Sequence, residues 1–250
     1  MMPYAYFCES CEEEISQHAG VTANHEKACF KRRLLTHPWQ PVATPEARVL
    51  ILGTFPSAAS VEYGGYCGNP DNHFWKIMGK VLDSPMIALR VGPSATDPFA
   101  VPNWDYRYMI LKSKGIALWD VVASCERKGR SSDSELRDIT PNPIGEFLHD
   151  HPEVRTVVLN GRTAEKLYHQ FITPPYPAPR AVYCPSTSPR NAMPYAKKLR
   201  AWRRTFRTAL PKREFDPVPF AAVNKGGLFC KHGQLIVSLP GHAKCPQCHP

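Results

Sequence analysis

The chain has 250 residues, a length that fits one α/β domain with small additions at its ends. It contains neither a run of 18 apolar residues nor a basic-apolar signal peptide, which argues against membrane insertion and export. An intracellular protein is expected, with nucleus and cytoplasm both open. The net charge is +9, and residues 186–213 carry nine Lys and Arg but no Asp or Glu. Such clustering favours a polyanionic partner over an ordinary solvated surface.

Six of the nine cysteines form two terminal groups beside histidines, which favours metal binding over disulfides. In the first group, Cys8 and Cys11 are separated by two residues, and His25 and Cys29 would lie one turn apart on a helix. This set supplies four ligands for a tetrahedral zinc ion, with His18 as an alternative to His25. Neighbouring glutamates make the module acidic, so a contact with protein is favoured over a contact with DNA.

The second group lies near the C-terminus and consists of Cys230, His232, Cys245 and Cys248, with His242 and His249 as alternative ligands. Mixed nitrogen and sulfur ligands suit zinc, whereas iron–sulfur clusters more often have four thiolates. Two structural zinc ions (Zn2+) are therefore expected, one at each end of the chain. The alternative for each group is a set of unconnected polar residues.

The core is predicted to begin with a buried strand at residues 49–52, which ends at Gly53. A loop rich in Gly and Asn follows. Phe74, Ile77, Met78 and Val81 then recur at helical spacing. A strand end, a flexible loop and a helix start are what an α/β site for a planar ligand requires, because glycines let the backbone approach the ligand.

Three more strands are predicted, at residues 115–122, 154–159 and 180–184. Between them, residues 126–138 are charged and rich in Ser, which predicts an exposed loop with a short helix. Residues 143–149 and 163–171 are predicted to be helices, and Thr163 is the expected cap of the second. Residues 38–45 are predicted to be a linker.

The last helix is predicted at residues 194–210 and has two stripes. One is apolar and consists of Leu199, Trp202, Phe206 and Leu210. The other is basic and consists of Lys197, Arg200, Arg204 and Arg207. Because no acidic residue lies beside the basic stripe, it favours a surface that follows a nucleic-acid backbone over a merely soluble helix face.

The motifs GTFPS at residues 53–57 and YCGNPDNHFW at residues 66–75 resemble the uracil-DNA glycosylase superfamily. The resemblance is strongest to its DNA-deoxyinosine (hypoxanthine-DNA) glycosylase branch. Further segments match in the same order: GIALWDVV at 115–122, SCER at 124–127, VVLNG at 157–161 and PSTSPRNA at 185–192. Together they cover about residues 45–210, which makes the match much more specific than one short motif.

The resemblance implies a three-layer α/β/α sandwich around a mostly parallel four-stranded sheet. With the terminal groups, the predicted organisation is an N-terminal zinc module at residues 1–40, a glycosylase core at 41–212 and a C-terminal zinc module at 213–250.

The resemblance also implies a monofunctional DNA glycosylase of base excision repair. Such an enzyme flips a deaminated base, hypoxanthine first and uracil or xanthine in addition, and hydrolyses its N-glycosidic bond. The resemblance assigns the key amide to Asn72, although by residue type alone Asn72 is better explained as a helix cap. Asp120, near a predicted strand end, is a second catalytic candidate, with a cap or turn as the alternative. No cofactor is required for this chemistry.

Contacts with the flipped base and the DNA are expected from a wider set that the resemblance implies: Gly53, Thr54, Phe55, Tyr66, Asn69, Phe74, Ser186, Ser188 and Arg190. Residues 186–191 would enter the minor groove, where Arg190 would fill the gap left by the flipped base. An ordinary surface turn is the alternative for this loop. Relatives commonly have two aromatic residues before GNP, and this chain has Tyr66 and Cys67, so its base preference is open.

Two other functional classes stay open at this point. One is a non-catalytic, zinc-containing DNA-binding or damage-recognition protein with the same fold. The other is an enzyme that acts on free nucleosides, which the basic C-terminal quarter disfavours because a small substrate does not need it. Formation of an abasic site in DNA that contains deoxyinosine separates an enzyme from a binding protein.

Overall fold

The computed structural model describes residues 6–7, 14–15, 33–89, 103–127, 133 and 136–210. The predicted zinc ligands all lie outside these residues, so both zinc ions stay predictions: Cys8, Cys11, His25, Cys29, Cys230, His232, Cys245 and Cys248. Within the described parts of the chain, no three His, Cys, Asp or Glu side chains are grouped in a way that would hold a metal ion. The helices of these parts also include none long and apolar enough to span a membrane.

The elements are, in chain order, β1 (Tyr6–Phe7), β2 (Glu14–Ile15), β3 (Arg33–Thr36), β4 (Val49–Gly53), α1 (Ala58–Glu62), α2 (Phe74–Val81), a 3₁₀ turn (Pro85–Ala88), α3 (Trp104–Ser113), β5 (Ile116–Asp120), β6 (Val122–Arg127), β7 (Leu136–Pro141), α4 (Ile144–Asp150), β8 (Thr156–Asn160), α5 (Arg162–Phe171), β9 (Arg180–Cys184) and α6 (Tyr195–Ala209).

The central sheet has four strands in the order β5-β4-β8-β9, and every pairing in it is parallel. Four consecutive residues of β4, from Val49 to Leu52, have no exposed surface. Successive side chains of a strand point to opposite faces, so both faces of the sheet are covered. Helices α3, α5 and α6 pack on its strands. The predicted α/β core with a parallel four-stranded sheet is confirmed.

A second, antiparallel sheet has the order β3-β6-β7. The prediction of a loop and a short helix at residues 126–138 is therefore wrong at both ends, since β6 extends to Arg127 and β7 starts at Leu136. The polar face of these strands is open to solvent, and two register shifts interrupt their pairing. Both features mask the alternation by which a strand is recognised in a sequence.

The segment before β4 packs on the core instead of acting as the predicted linker. Strand β3 pairs with β6, His37 N donates to Ala123 O at 2.7 Å, and Val42 forms an antiparallel bridge with Leu118. The boundary predicted after residue 40 thus falls inside a segment that the core holds. This packing brings His37 and Trp39 to the edge of the sheet where the strands end.

Helices α5 and α6 agree with their predicted positions but differ in detail. Helix α5 begins at Arg162 after Gly161, which makes no side-chain cap, so Thr163 is not the cap. In α6, Trp202 and Phe206 are fully buried, whereas Arg200, Arg204 and Arg207 are exposed as predicted. Lys198 is the exception to the solvent-facing pattern, because it is also fully buried.

Candidate active site

A cavity of about 110 Å³ lies where the four parallel strands end. Gly53 ends β4, Asp120 ends β5 and Asn160 ends β8, and Ser186 follows β9 by two residues. The carboxyl ends of parallel strands meet at one edge of a sheet, which is the usual place for a ligand in this class of fold. The cavity is therefore the candidate active site.

Most of the predicted site residues line this cavity: Gly53, Thr54, Phe55, Asn69, Asn72, Asp120, Ser186, Ser188 and Arg190. Tyr66 and Phe74 are not in the lining. Phe74 is fully buried in the core, and Tyr66 is buried with its hydroxyl donating to Gln40 O at 2.9 Å. Cys67 takes the place in the lining that was expected for Tyr66.

The side chain of Asn72 combines a cap with a free donor. Its Oδ1 accepts the backbone N–H of Phe74 at 3.0 Å, which satisfies one of the amides at the start of α2. Among the described residues, no acceptor lies within hydrogen-bond distance of its Nδ2. Because Asn72 also lines the cavity, this NH₂ group is available to a ligand there. Asn72 therefore holds the start of α2 from the position before His73, which is the N-cap residue and makes no side-chain cap, and this bond does not use up the amide.

Asn160 is a member of the site that sequence reasoning did not single out. Its Nδ2 donates to Thr187 Oγ1 at 3.0 Å, and its Oδ1 accepts the backbone N–H of Thr187 at 2.9 Å. Thr187 O in turn accepts the backbone N–H of His73 at 2.9 Å. These bonds connect the end of β8 to the loop after β9 and to the start of α2. The position of Asn160 directly after a buried strand was the available sequence signal.

Lys198 holds the loop at residues 186–191 in place through two hydrogen bonds. Its Nζ donates to Ser188 O at 3.1 Å and to Asn191 O at 2.9 Å. Burial lowers the pKa of Lys198, since a desolvated ammonium group is disfavoured. In the described parts of the chain, no carboxylate pairs with it. Arg190 lies in this loop and is exposed.

Two further cavity residues, Trp39 and Asp133, come from segments that the sequence predicted to be a linker and a loop. Trp39 belongs to the segment that packs against the core. Asp133 is exposed as a residue, but its carboxyl group hydrogen-bonds to the side chain of Thr54, and desolvation raises the pKa of that carboxyl group. No local sequence pattern indicates that either residue reaches the cavity.

Comparison with known proteins places this geometry in a family. The sequence profile described as the uracil DNA glycosylase superfamily matches residues 41–210, a range that contains every element from β4 to α6. The chain belongs to the uracil DNA glycosylase superfamily. The resemblance in GTFPS and YCGNPDNHFW is thereby confirmed at the level of the superfamily.

Two relatives of this chain of the glycosylase superfamily come from Methanosarcina species. A hypoxanthine DNA glycosylase from Methanosarcina acetivorans is 31% identical over 123 residues, which are 49% of this chain and 69% of that protein. A hypoxanthine DNA glycosylase from Methanosarcina barkeri is 27% identical over 122 residues, which are 49% of this chain and 68% of that protein. The relatives support repair of deaminated bases at the level of the family.

A solved structure supports the fold. The NMR structure of a protein from Methanosarcina acetivorans, proposed to be a uracil DNA glycosylase, matches with a TM-score of 0.55 and 25% identity. The match covers 71% of this chain and 99% of that one. Both predicted zinc modules, at residues 1–40 and 213–250, lie wholly outside the range that the superfamily profile matches.

Proposed function

We propose that the protein is a monofunctional DNA glycosylase that excises hypoxanthine from DNA, with uracil or xanthine as further substrates, in base excision repair. The observation that carries the proposal is the free Nδ2 of Asn72 in a cavity at the strand ends, beside a loop that presents Arg190. The relatives named hypoxanthine DNA glycosylases support the choice of base.

For hypoxanthine, the chemistry at this site is hydrolysis of the bond between C1′ of deoxyribose and N9 of the base; for uracil the corresponding atom of the base is N1. The base first leaves the stack, which costs a few kcal/mol, and enters the cavity. As the C1′–N9 bond breaks, its electron pair goes to the base and the sugar approaches an oxocarbenium ion, which a water oxygen then attacks at C1′. Asn72 Nδ2 donates a hydrogen bond where negative charge develops on the departing base.

Water, and not an amine of the protein, is the nucleophile in this proposal. A glycosylase that also cleaves the strand needs an amine to form a Schiff base with the sugar. The described residues that line the cavity include no lysine, and nearby Lys198 is buried with its Nζ bonded to two carbonyl oxygens. The expected product is therefore an intact strand with an abasic site.

A duplex that contains one deoxyinosine tests the proposal directly. After incubation with the protein, alkali should cleave the strand at the deoxyinosine, whereas without alkali the strand should stay intact. Parallel duplexes with uracil or xanthine rank the substrates, and a duplex with adenine at the same position is the matched control. A protein that binds these duplexes but forms no abasic site in any of them is a damage-recognition protein and not an enzyme.

Helix α6 is proposed to bind the DNA backbone through Arg200, Arg204 and Arg207, which are exposed. Replacing all three by alanine should weaken binding equally for damaged and undamaged DNA. Each phosphate contact adds about 0.9 to the slope of log affinity against log salt, so the slope should fall by about two to three. Fluorescence anisotropy over a salt series measures both effects.

A control with the same change of charge uses three exposed basic residues at the opposite edge of the sheet. Arg48, Lys112 and Arg155 lie close before the starts of β4, β5 and β8. Their replacement by alanine should leave most of the salt slope in place. Equal effects of the two triple variants would mean that α6 is not the binding surface.

Two structural zinc ions are also proposed, one held by Cys8, Cys11, His25 and Cys29 and the other by Cys230, His232, Cys245 and Cys248. The antiparallel pairing of β1 with β2 supports the first site, because it brings together the two ends of the segment that carries Cys8 and Cys11. The acidic first module is proposed to contact a protein partner and not DNA.

Elemental analysis of protein purified without chelator should give two zinc ions per chain. Cys11→Ser and Cys245→Ser should each remove one ion, because a structural zinc site needs all four ligands. The buried thiol Cys125 provides the control, since Cys125→Ser should leave the zinc content unchanged. Protein without zinc would contradict both sites.

A further inference from the structure

His37 and Asp120 form a buried dyad beside the cavity. His37 Nε2 lies 2.9 Å from Asp120 Oδ2, and the side chains are 3% and 11% exposed. The backbone N–H of Trp39 donates to His37 Nδ1 at 3.1 Å, so Nδ1 carries a lone pair. The hydrogen-bond network therefore assigns the ring proton to Nε2, from which it is donated to Asp120.

The ring of His37 is fixed by aromatic neighbours as well as by hydrogen bonds. Its centroid lies 5.9 Å from that of Phe55, 5.7 Å from that of Tyr66 and 6.0 Å from that of Trp39. Tyr66 is in turn held by the bond from its hydroxyl to Gln40 O. These rings shield the hydrogen bond between His37 Nε2 and Asp120 Oδ2 from water, and a hydrogen bond to a carboxylate is stronger in such surroundings. Tyr66, although buried outside the cavity lining, therefore contacts the site through the ring of His37.

The second oxygen of Asp120 is left for the cavity. A Cβ atom on Gly53 would clash with Asp120 Oδ1, so this oxygen rests against the Cα of Gly53, which is itself in the cavity lining. No described residue donates a hydrogen bond to Oδ1. Asn142 Nδ2 fixes the backbone by donating to Asp120 O at 2.9 Å and to Val122 O at 3.1 Å. The carboxylate of Asp120 is thus held by His37 at Oδ2, whereas its Oδ1 has no hydrogen-bond donor among the described residues.

We propose that Asp120 is the general base of the reaction and that His37 is the positioning residue that holds its carboxylate. Asp120 Oδ1 accepts a proton from the attacking water while the water oxygen bonds to C1′ and the C1′–N9 electron pair leaves with the base. His37 keeps its own proton throughout, because its donated hydrogen bond fixes Oδ2. This inference rests on the proposed glycosylase function.

The other charged groups in the cavity and next to it fit this division of roles. Asp133, which hydrogen-bonds to Thr54, lies on the Thr54 side of the cavity, and Arg190 reaches the lining from the loop after β9. Arg127 lies over the ring of Phe55 at 5.5 Å and donates to Pro56 O. In the described residues, only Asp120 among these groups is bonded to a histidine. A carboxylate held by a neutral histidine stays available as a proton acceptor.

The test compares His37→Leu with His37→Gln in a single-turnover assay on a deoxyinosine duplex. His37→Leu removes the donor and should lower the excision rate by about tenfold or more. This is only part of the rate enhancement of about 10² to 10⁴ that a general base contributes, because Asp120 itself is still present. His37→Gln keeps an N–H donor near the position of Nε2 and should retain most of the rate. DNA affinity should stay unchanged in both, since neither change touches the loop or α6.

A matched control and a double-variant cycle exclude a merely structural effect. The ring of His151 is likewise hydrogen-bonded, in its case to the backbone carbonyl of Phe147 at 2.8 Å, but it lies at the end of α4 away from the cavity, so His151→Leu should excise at the wild-type rate. In an Asp120→Asn background, His37→Leu should cause little further loss, because its effect passes through the carboxylate. Gly53→Ala, which forces Oδ1 to move, should likewise lower the rate.

The outcomes separate this inference from the function on which it rests. Wild-type protein that forms no abasic site from any base in the panel overturns the proposed function and the catalytic role together. Active wild-type protein with a folded His37→Leu variant that excises at the same rate overturns the dyad alone. Equal losses in the wild-type and Asp120→Asn backgrounds would also overturn it, since His37 would then act independently of Asp120.

Discussion

Replacing Asn72 by alanine should lower the rate of hypoxanthine excision by about a hundredfold or more. This is the scale seen when a single hydrogen-bond donor to a transition state is removed. Asn72 Nδ2 is a free donor in the cavity, and a carboxylate such as that of Asp120 accepts hydrogen bonds and cannot replace it. Single-turnover measurement of the abasic product gives the rate of the chemical step without product release.

Asn72→Asp provides the matched variant, because it separates the two functions of the side chain. An aspartate keeps an oxygen that can accept the N–H of Phe74, so the cap at the start of α2 is retained. It replaces the NH₂ donor by a second acceptor and should lose as much activity as Asn72→Ala. The alanine variant should lose about 1 kcal/mol of unfolding free energy with the cap, and the aspartate variant less.

DNA affinity provides the control for both variants. Helix α6 and the loop at residues 186–191 are unchanged, so binding at moderate salt should differ little from wild type. If the alanine variant is folded, binds DNA and excises near the wild-type rate, Asn72 is a helix cap and nothing more. In that case the carboxylate of Asp120 alone would have to account for the catalysis.

The parallel sheet could be predicted because its strands are buried on both faces. The apolar runs at residues 49–52 and 157–159 are too short for helices and fit strands that helices cover on both sides. Strands β6 and β7 could not be predicted in the same way. Apart from the buried Arg127, their charged and hydroxyl side chains are partly or fully exposed, and what makes them strands is pairing with β3 and with each other.

The site residues that belong to a sequence motif could be predicted, whereas those that come from distant segments of the chain could not. Asn72 and Arg190 stand in segments whose composition and resemblance point to a ligand. His37 is 83 positions from Asp120 in the sequence, and the pairing of β3 with β6, together with the bridge between Val42 and Leu118, brings them together. Tyr66 is the opposite case: its position in the motif suggested stacking on a base, but the carbonyl of Gln40 binds its hydroxyl and turns the ring into the core.

The loop at residues 186–191 is expected to matter for duplex DNA much more than for single strands. Arg190→Ala should lower excision from a deoxyinosine duplex by about tenfold or more, because unstacking a base costs a few kcal/mol and an inserted side chain offsets part of that cost. In a single strand no gap has to be filled, so the loss should be smaller. The ratio of the two rates is the measurement, and binding should weaken less than turnover.

Lys198→Met should reproduce this loss without touching Arg190. Its ammonium group, fully buried, holds the loop through Ser188 O and Asn191 O, and methionine fills the space but donates no hydrogen bond. Lys197→Met is the matched control, since Lys197 is the preceding residue, carries the same charge and is exposed.

If the loop is a preformed element inserted into DNA, Lys198→Met lowers the excision rate on duplex DNA well below that of Lys197→Met. Equal rates for these two variants, or equal losses of Arg190→Ala on duplex and single-stranded DNA, would mean that the loop is a surface turn with no part in flipping the base.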